Sequence, residues 1–343
     1  MLIVPKSTAK RKKVSNSQFL AIALILLFSS FSSVGGQAQS VGRSDSHERD
    51  CEVVAKVISG DINWTPQSKL CKDDKIHPVR GRKVEIFCYS HGKLLYLTDS
   101  TVSEHCLPLS QRRFENCTLK NGYTCVTPKG PGSDENIPTL ITPYGVVILN
   151  TNPILSWSAT PEATSYTVQI EGKGVNWLVE VKATQLPYPK DQPAMESGNV
   201  YNVNVVANRG DEPIAASTSI LLVVPTDKAQ EIATTINRLQ SLNQFQDELA
   251  IDVDSVYKAE NLVNESILVL KARAKAGSKN PTIYRLLGDR YLEAYLPSAA
   301  ISAYATASKL ARKENNADEL VKAEAGAKIA DQSQKRRERA RGG

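Results

Sequence analysis

The distribution of cysteine constrains the fold of this chain more than any other feature. Every cysteine lies within residues 51–125, and none occurs after them: the six are Cys51, Cys71, Cys88, Cys106, Cys117 and Cys125. An even number confined to one short segment is typical of disulfide bonding in an oxidising compartment. Six cysteines allow fifteen pairings. We expect neighbours in sequence to pair in order, as 51–71, 88–106 and 117–125.

A metal site is the alternative use of these cysteines. Three histidines share the segment, His77, His91 and His105, and His47 lies just before it. Zinc sites typically space their ligands as Cys-x-x-Cys or His-x-x-x-His, and neither spacing occurs here. We therefore expect no metal and no other cofactor. The missing Cys-x-x-Cys motif also argues against a thiol oxidoreductase.

Residues 1–38 are predicted to be a cleavable signal peptide. A leader with five cations and no acidic residue precedes an apolar run at 19–28, and Gly36-Gln37-Ala38 offers small residues for cleavage. Ten apolar residues fall short of the roughly 20 that a membrane-spanning helix needs. A retained anchor, with the run extended to Val34, is the alternative. We expect an extracytoplasmic protein, either periplasmic or secreted.

Charge gives little support for nucleic-acid binding. Removal of the five leader cations leaves 37 of the 42 Lys and Arg residues against 36 Asp and Glu residues. The C-terminal tail, 333–343, is the exception, and its cations are Lys335, Arg336, Arg337, Arg339 and Arg341. We expect this tail to be disordered and solvated. Contact with a membrane of anionic lipid, or with an acidic partner, is the alternative.

Two β-rich regions are predicted before any helix. In residues 51–125, short β-branched or alternating runs predict a small β-roll or barrel. Proline and glycine in residues 126–141 predict a linker. Residues 142–225 alternate polar with apolar side chains between turns, which predicts an antiparallel sandwich. We expect Trp157 and Trp177 to pack in its core, and a sugar-stacking pair is the alternative.

Residues 226–332 are predicted to be helical. The most regular part places seven side chains where two packed helices would meet: Tyr284, Leu287, Gly288, Tyr291, Ala300, Tyr304 and Ala307. Gly288 is small enough for the second helix to pass close to the first. Weaker copies of the pattern lie on both sides. We therefore expect a leading helix, two helix pairs and a trailing helix.

This seven-residue pattern resembles the tetratricopeptide repeat (TPR). The segment from Leu155-Ser156-Trp157 to Tyr166-Thr167-Val168 resembles a fibronectin type III domain. The opening strand with its Ile58-Ser59-Gly60-Asp61 turn, together with Arg80-Gly81-Arg82, resembles the small extracytoplasmic β domain of the FecR type. The order of the three is similar to that of predicted exported proteins found mostly in cyanobacteria.

The resemblance implies a multidomain α+β protein. It would contain a disulfide-stapled small β domain, a fibronectin III or Ig-like β-sandwich and a C-terminal α-helical TPR solenoid. No phosphate loop, His-Glu-x-x-His helix or Gly-x-Ser-x-Gly elbow occurs in the sequence, so we expect no catalytic residues and no enzymatic activity.

The TPR resemblance implies a scaffolding protein with a protein or peptide partner in the cell envelope. The partner groove would be lined by Arg285, Asp289 and Glu293, which alternatively form only a solvated helix face. The alternative function is an envelope regulatory or sensing protein whose cysteine-rich, FecR-like module binds a ligand. The sequence does not predict the oligomeric state.

Overall fold

The structure, a computed structural model, describes residues 51–79, 81–106 and 136–342. The predicted signal peptide 1–38, the cysteines at 117 and 125, and most of the predicted linker lie outside these residues. Two β regions come first in the described chain, and helices follow. This order agrees with the predicted mixed α+β class. No helix in the described ranges is both long and apolar enough to cross a membrane.

The first β region consists of two small sheets. Its strands are β1 (Val53–Ser59), β2 (Lys69–Cys71), β3 (Lys75–Ile76), β4 (Val84–Cys88), β5 (Lys93–Leu97) and β6 (Ser100–Thr101). Four of them form an antiparallel sheet in the order β2-β1-β4-β5, and β3 pairs with β6. Their inward side chains, such as Val57, Ile86 and Leu97, share one apolar core with Val102 of the turn that follows β6.

Two disulfide bonds close the first β region. Cys51 is bonded to Cys71 at the end of β2, with 5.9 Å between their Cα atoms. Cys88 at the end of β4 is bonded to Cys106, with 5.5 Å between the Cα atoms. Both bonds confirm the predicted in-order pairing, and the third predicted pair lies outside the described residues. The bonds suggest an oxidising, extracytoplasmic environment.

The second β region consists of two sheets that share one core. Its strands are β7 (Leu140–Thr142), β8 (Val147–Ile148), β9 (Leu155–Trp157), β10 (Ser165–Gly172), β11 (Val175–Val181), β12 (Gln185–Leu186), β13 (Val200–Arg209) and β14 (Glu212–Val223). The strand orders are β12-β9-β7 and β11-β10-β13-β14-β8. Trp157 and Trp177 are buried in the common core, as predicted.

The start of the second β region differs from the prediction. β7 begins inside the predicted linker 126–141 and pairs with β9. The carbonyl of Pro138 accepts a hydrogen bond from the Ser217 hydroxyl, and that of Ile137 accepts one from Ser158. Proline lacks an N–H but keeps its carbonyl, so a proline-rich composition did not exclude these bonds. The sheet therefore begins before residue 142.

Helices occupy the rest of the described chain, and their number, six, is the predicted one. They are α1 (Thr226–Gln240), α2 (Gln246–Ala259), α3 (Val263–Lys275), α4 (Pro281–Glu293), α5 (Pro297–Glu314) and α6 (Ala317–Gly342). Each helix packs against the next, and α4 also contacts α2 and α6. α1 begins directly after Pro225, where the last strand was predicted to end.

The end of α6 corrects the predicted disordered tail. The helix continues to Gly342, so residues 333–342 are helical. Arg337 donates a hydrogen bond to the carbonyl of Tyr295 at 2.9 Å, and the Ser298 hydroxyl donates one to Gln334 at 2.9 Å. The prediction of disorder rested on the like charges of the tail alone. The contact of one side of the tail with the start of α5 is long-range and is not visible in the sequence.

An apolar cluster joins the two β regions to the helices. We call it the joint, and its buried members are Ile58, Phe87, Val147, Val224, Ile232, Leu239, Val256 and Leu262. Gly92, in the β4–β5 turn, approaches α2 so closely that a Cβ there would lie 3.0 Å from the Cα of Val256. Gly92 also has a φ of +62°, a backbone conformation that favours glycine.

The ring of Tyr304 fills the space between α4 and α6. A Cβ at Gly288 would lie 2.7 Å from this ring, and a Cβ at Gly326 would also overlap it. The other predicted packing residues surround the same ring or the adjacent core: Leu287, Ala300 and Ala307 are buried, and Tyr284 and Tyr291 are partly buried. Gly288 is therefore required because a tyrosine ring, and not a helix backbone, lies against it.

Replacing Gly288 by Leu is expected to destabilise the protein by about 1–3 kcal/mol or more, because the new side chain overlaps the buried Tyr304 ring. The matched control is Ala305→Leu, which adds bulk at an exposed position of α5. Thermal unfolding of the chain from Gln39 onward measures both. A melting temperature for Gly288→Leu at or above that of the control would contradict the packing described here.

Candidate functional site

The three predicted groove residues lie one turn apart on α4. The start of this helix is well defined, since Asn280 accepts a hydrogen bond from the Thr282 N–H and Pro281 occupies the first turn. Residues spaced by four share one side of a helix, so Arg285, Asp289 and Glu293 form a row. The row lies where α4 meets α2 and α6.

On the α6 side, Arg285 connects two carboxylates. Its Nε donates to Glu319 at 2.6 Å, and its Nη1 donates to Asp289 at 2.7 Å. The other oxygen of Asp289 accepts a hydrogen bond from the Tyr304 hydroxyl at 2.7 Å. Arg285 is mostly buried, whereas the Asp289 side chain remains 33% exposed.

On the α2 side, a buried arginine takes the corresponding role. Arg290 donates to both oxygens of Asp254, at 2.8 and 2.9 Å, and both side chains are almost fully buried. Arg290 also donates to Glu293 at 2.7 Å. Lys258, one turn after Asp254, approaches Glu293 to 3.8 Å. Lys258 and Glu293 are each more than one third exposed.

These side chains form two ion-paired sets that lie side by side on α4 and reach α2 and α6. We call both sets together the charged band, and its members are Asp254, Lys258, Arg285, Asp289, Arg290, Glu293 and Glu319. Its interior is buried, and Lys258, Asp289 and Glu293 form its accessible rim. A ligand at the rim would therefore meet groups of both signs and fixed geometry.

Burial and ion pairing act against each other on the pKa values in the band. Burial alone would lower the pKa of Arg290, but the Asp254 carboxylate more than offsets it, so the pKa is raised. Burial, with Asp289 nearby, raises the pKa of the Tyr304 hydroxyl. Partial burial and the positive Arg290 lower the pKa of Lys258, and the nearby carboxylates oppose this shift. Around neutral pH, the arginine stays charged and the tyrosine keeps its proton.

Four of the seven members of the charged band were not predicted as site residues from the sequence, namely Asp254, Lys258, Arg290 and Glu319. In the copy of the helix pattern that precedes the most regular one, Asp254 occupies the position equivalent to Gly288. A carboxylate at such a closely packed position needs a cation nearby. That substitution was the available signal for a partner such as Arg290, which lies 36 residues further along the chain, two residues after Gly288.

A second polar cluster lies beside the joint. Lys56 of β1 contacts Asp252 of α2 at 2.7 Å and donates to Gln244 at 2.8 Å, and the ion pair is almost fully buried. Burial raises the pKa of Asp252, and the contact with Lys56 opposes this shift. Arg238 of α1 pairs with Glu85 of β4 at 2.6 Å. This cluster attaches the first β region to α1 and α2.

The histidines of the first β region do not converge. His77 contacts Asp99 at 3.1 Å, and the His91 ring contacts the backbone carbonyl of His105 at 3.1 Å. Within the described ranges, no group of three or more His, Cys, Asp or Glu side chains is placed to hold a metal ion. His47 lies outside the described residues.

Replacing Arg290 by Met is expected to cost about 3–5 kcal/mol of stability, because Asp254 would remain buried without its cation. The double variant Arg290→Met/Asp254→Leu should recover most of that loss. Arg312→Met, which removes an exposed pair with Glu324, is the control and should cost under about 1 kcal/mol. Urea unfolding measures all three. Equal losses for the single and double variants would contradict this account of the buried pair.

Comparison with known proteins adds no family to this geometry. No protein-family model matches the chain. A search of the curated proteins likewise finds no match. The roles of the residues are therefore argued from the contacts described above.

Proposed function

We propose that this chain is an exported, non-enzymatic scaffolding protein that binds a protein or peptide partner at the charged band. The observation that carries the proposal is the accessible rim formed by Lys258, Asp289 and Glu293 around buried ion pairs. Charges held in place by buried neighbours lose little conformational freedom when a partner pairs with them.

A TPR solenoid is the architecture that we propose for the helices. α2 and α4 begin 35 residues apart, at 246 and 281, and α3 and α5 begin 34 apart, at 263 and 297. Gly326 of α6 faces the Tyr304 ring as Gly288 of α4 does, which supports α6 as a third first-type helix. In such solenoids, the first helices of successive repeats line the concave binding face. The charged band joins these three helices.

A fibronectin III-like sandwich is the corresponding proposal for the second β region. Three- and five-stranded sheets around one core support it. So does Tyr201 at the start of β13, whose hydroxyl accepts a hydrogen bond from the Glu196 N–H at 2.7 Å. Such a tyrosine corner is a hallmark of these sandwiches.

Binding suits the charged band better than proton transfer does. Each of its four carboxylates lies within ion-pair distance of Arg285 or Arg290. A general acid or base must be free to exchange a proton with a substrate, and here each carboxylate is already engaged by a guanidinium. The export part of the proposal is supported by the two disulfide bonds.

Envelope sensing by the FecR-like first module is the second candidate function. One observation favours it: α2 carries Asp252, which pairs with Lys56 of the first β region, and Asp254, which pairs with Arg290 in the charged band. A ligand that shifted β1 would therefore act on the same helix that borders the band. In this case the ligand would bind the first β region, and the side chains of the charged band would move with α2.

Site-specific crosslinking separates the two candidates. A photo-reactive amino acid at Glu293, in cells that export the chain, is expected to capture a discrete protein partner. The same group at Lys313, exposed on α5, is the control and should capture none. A third position, Tyr96, is 66% exposed on β5. Capture at 96 alone would favour the sensing function, and equal capture at 293 and 313 would contradict the proposed groove.

A further inference from the structure

The outer side of α6 combines exposed cations with exposed aliphatic side chains. Val321, Lys328, Lys335 and Arg339 follow one another at intervals of seven or four residues, so they lie along one side of the helix. Ile329 and Arg336 occupy the adjacent strip of the same side. All six are exposed, with Val321 at 67% and Ile329 at 58%. We call these six residues the outer face.

The opposite side of α6 fixes the direction of the outer face. Ala323, Gly326 and Ala330 are buried against the preceding helices. Further along, Gln334 and Arg337 hydrogen-bond to Ser298 and to the backbone of Tyr295. These contacts hold the helix along its length. The outer face therefore points away from the other described helices.

Exposed Asp318 lies at the N-terminal end of the outer face, in line with Arg336. Two further acidic residues lie at the flank of the face. Asp331 pairs with Lys335 at 2.8 Å, and Glu338 accepts a hydrogen bond from Gln334 at 3.0 Å. By helical geometry, both carboxylates lie on the side of α6 away from Ile329 and Arg336. The outer face thus presents four cations: Lys328, Lys335, Arg336 and Arg339.

We propose that the outer face of α6 binds the surface of an anionic phospholipid bilayer. Its cations would meet lipid phosphates, and its aliphatic side chains would enter the boundary between headgroups and acyl chains. From Val321 to Arg339 the face extends about 27 Å along a straight helix, a shape that a planar surface can contact throughout. Exposed Val321 and Ile329 favour lipid over an acidic peptide, which needs cations alone.

This surface is separate from the charged band. Glu319, the member of the band on α6, faces Arg285 on the inner side of the helix. Attachment to a membrane through the outer face would leave the rim residues Lys258, Asp289 and Glu293 accessible. Failure of the lipid proposal would therefore leave the proposed partner binding untouched.

Vesicle flotation tests the proposal with the chain from Gln39 onward, which contains the whole compact unit Asp50–Gly343. The protein is expected to float with phosphatidylcholine vesicles that contain phosphatidylglycerol, and not with phosphatidylcholine alone. High salt should weaken this binding by screening. Replacing the four outer-face cations by Gln should lower partitioning by about six-hundredfold, at about fivefold for each charge.

Matched variants distinguish binding through the outer face from a general effect of net charge or of hydrophobicity. The charge control replaces four exposed lysines elsewhere by Gln, namely Lys182, Lys190, Lys309 and Lys313. It should retain wild-type partitioning. Ile329→Ser should weaken binding to anionic vesicles at low salt and at high salt. Ile220→Ser, at an exposed strand position, should not weaken it. Absence of binding to anionic vesicles, equal binding to neutral ones, or an equal loss in the charge control would overturn the proposal.

Discussion

The buried contact between Lys56 and Asp252 is the interaction on which the arrangement of this structure depends. It joins a strand of the disulfide-bonded region to a helix almost two hundred residues away, at 2.7 Å and almost fully shielded from water. A buried ion pair is stable only when its geometry is satisfied, so it specifies one relative position of strand and helix. The apolar joint around Phe87 and Val256 then adds the burial that stabilises this position.

Helix α2 therefore forms buried ion pairs with two different parts of the structure. Asp252 faces the first β region, and Asp254, two residues later, faces Arg290 of α4. The second β region is attached to the following helix, since the Leu149 N–H donates to Glu265 and the Tyr144 N–H donates to Asn264. The two β regions thus contact α2 and α3, and α2 carries part of the charged band. These contacts fix the positions of the rim side chains, which suits recognition of a partner by charges of fixed geometry.

Local features of the fold could be predicted from the sequence, and contacts between regions could not. The in-order disulfides, the strands around Trp157 and the helix pair around Gly288 follow from spacing and periodicity within short segments. The contact of Lys56 with Asp252 does not follow from such local patterns, because a lysine in a strand is normally exposed. The helical end of α6 was missed for the same reason: Arg337 donates to the carbonyl of Tyr295, in the turn between α4 and α5. Of the proposed groove, Arg285, Asp289 and Glu293 were identified from the sequence, but the buried partners Glu319 and Arg290 were not.

The central claim is that the two β regions and the helices form one cooperative unit through the joint. Scanning calorimetry of the chain from Gln39 onward, with its disulfides intact, tests it most directly. We expect a single transition whose calorimetric and van't Hoff enthalpies agree. Lys56→Met, which leaves Asp252 buried without its cation, should lower the temperature of that whole transition. Separate transitions, with the helices melting at an unchanged temperature in Lys56→Met, would contradict this claim.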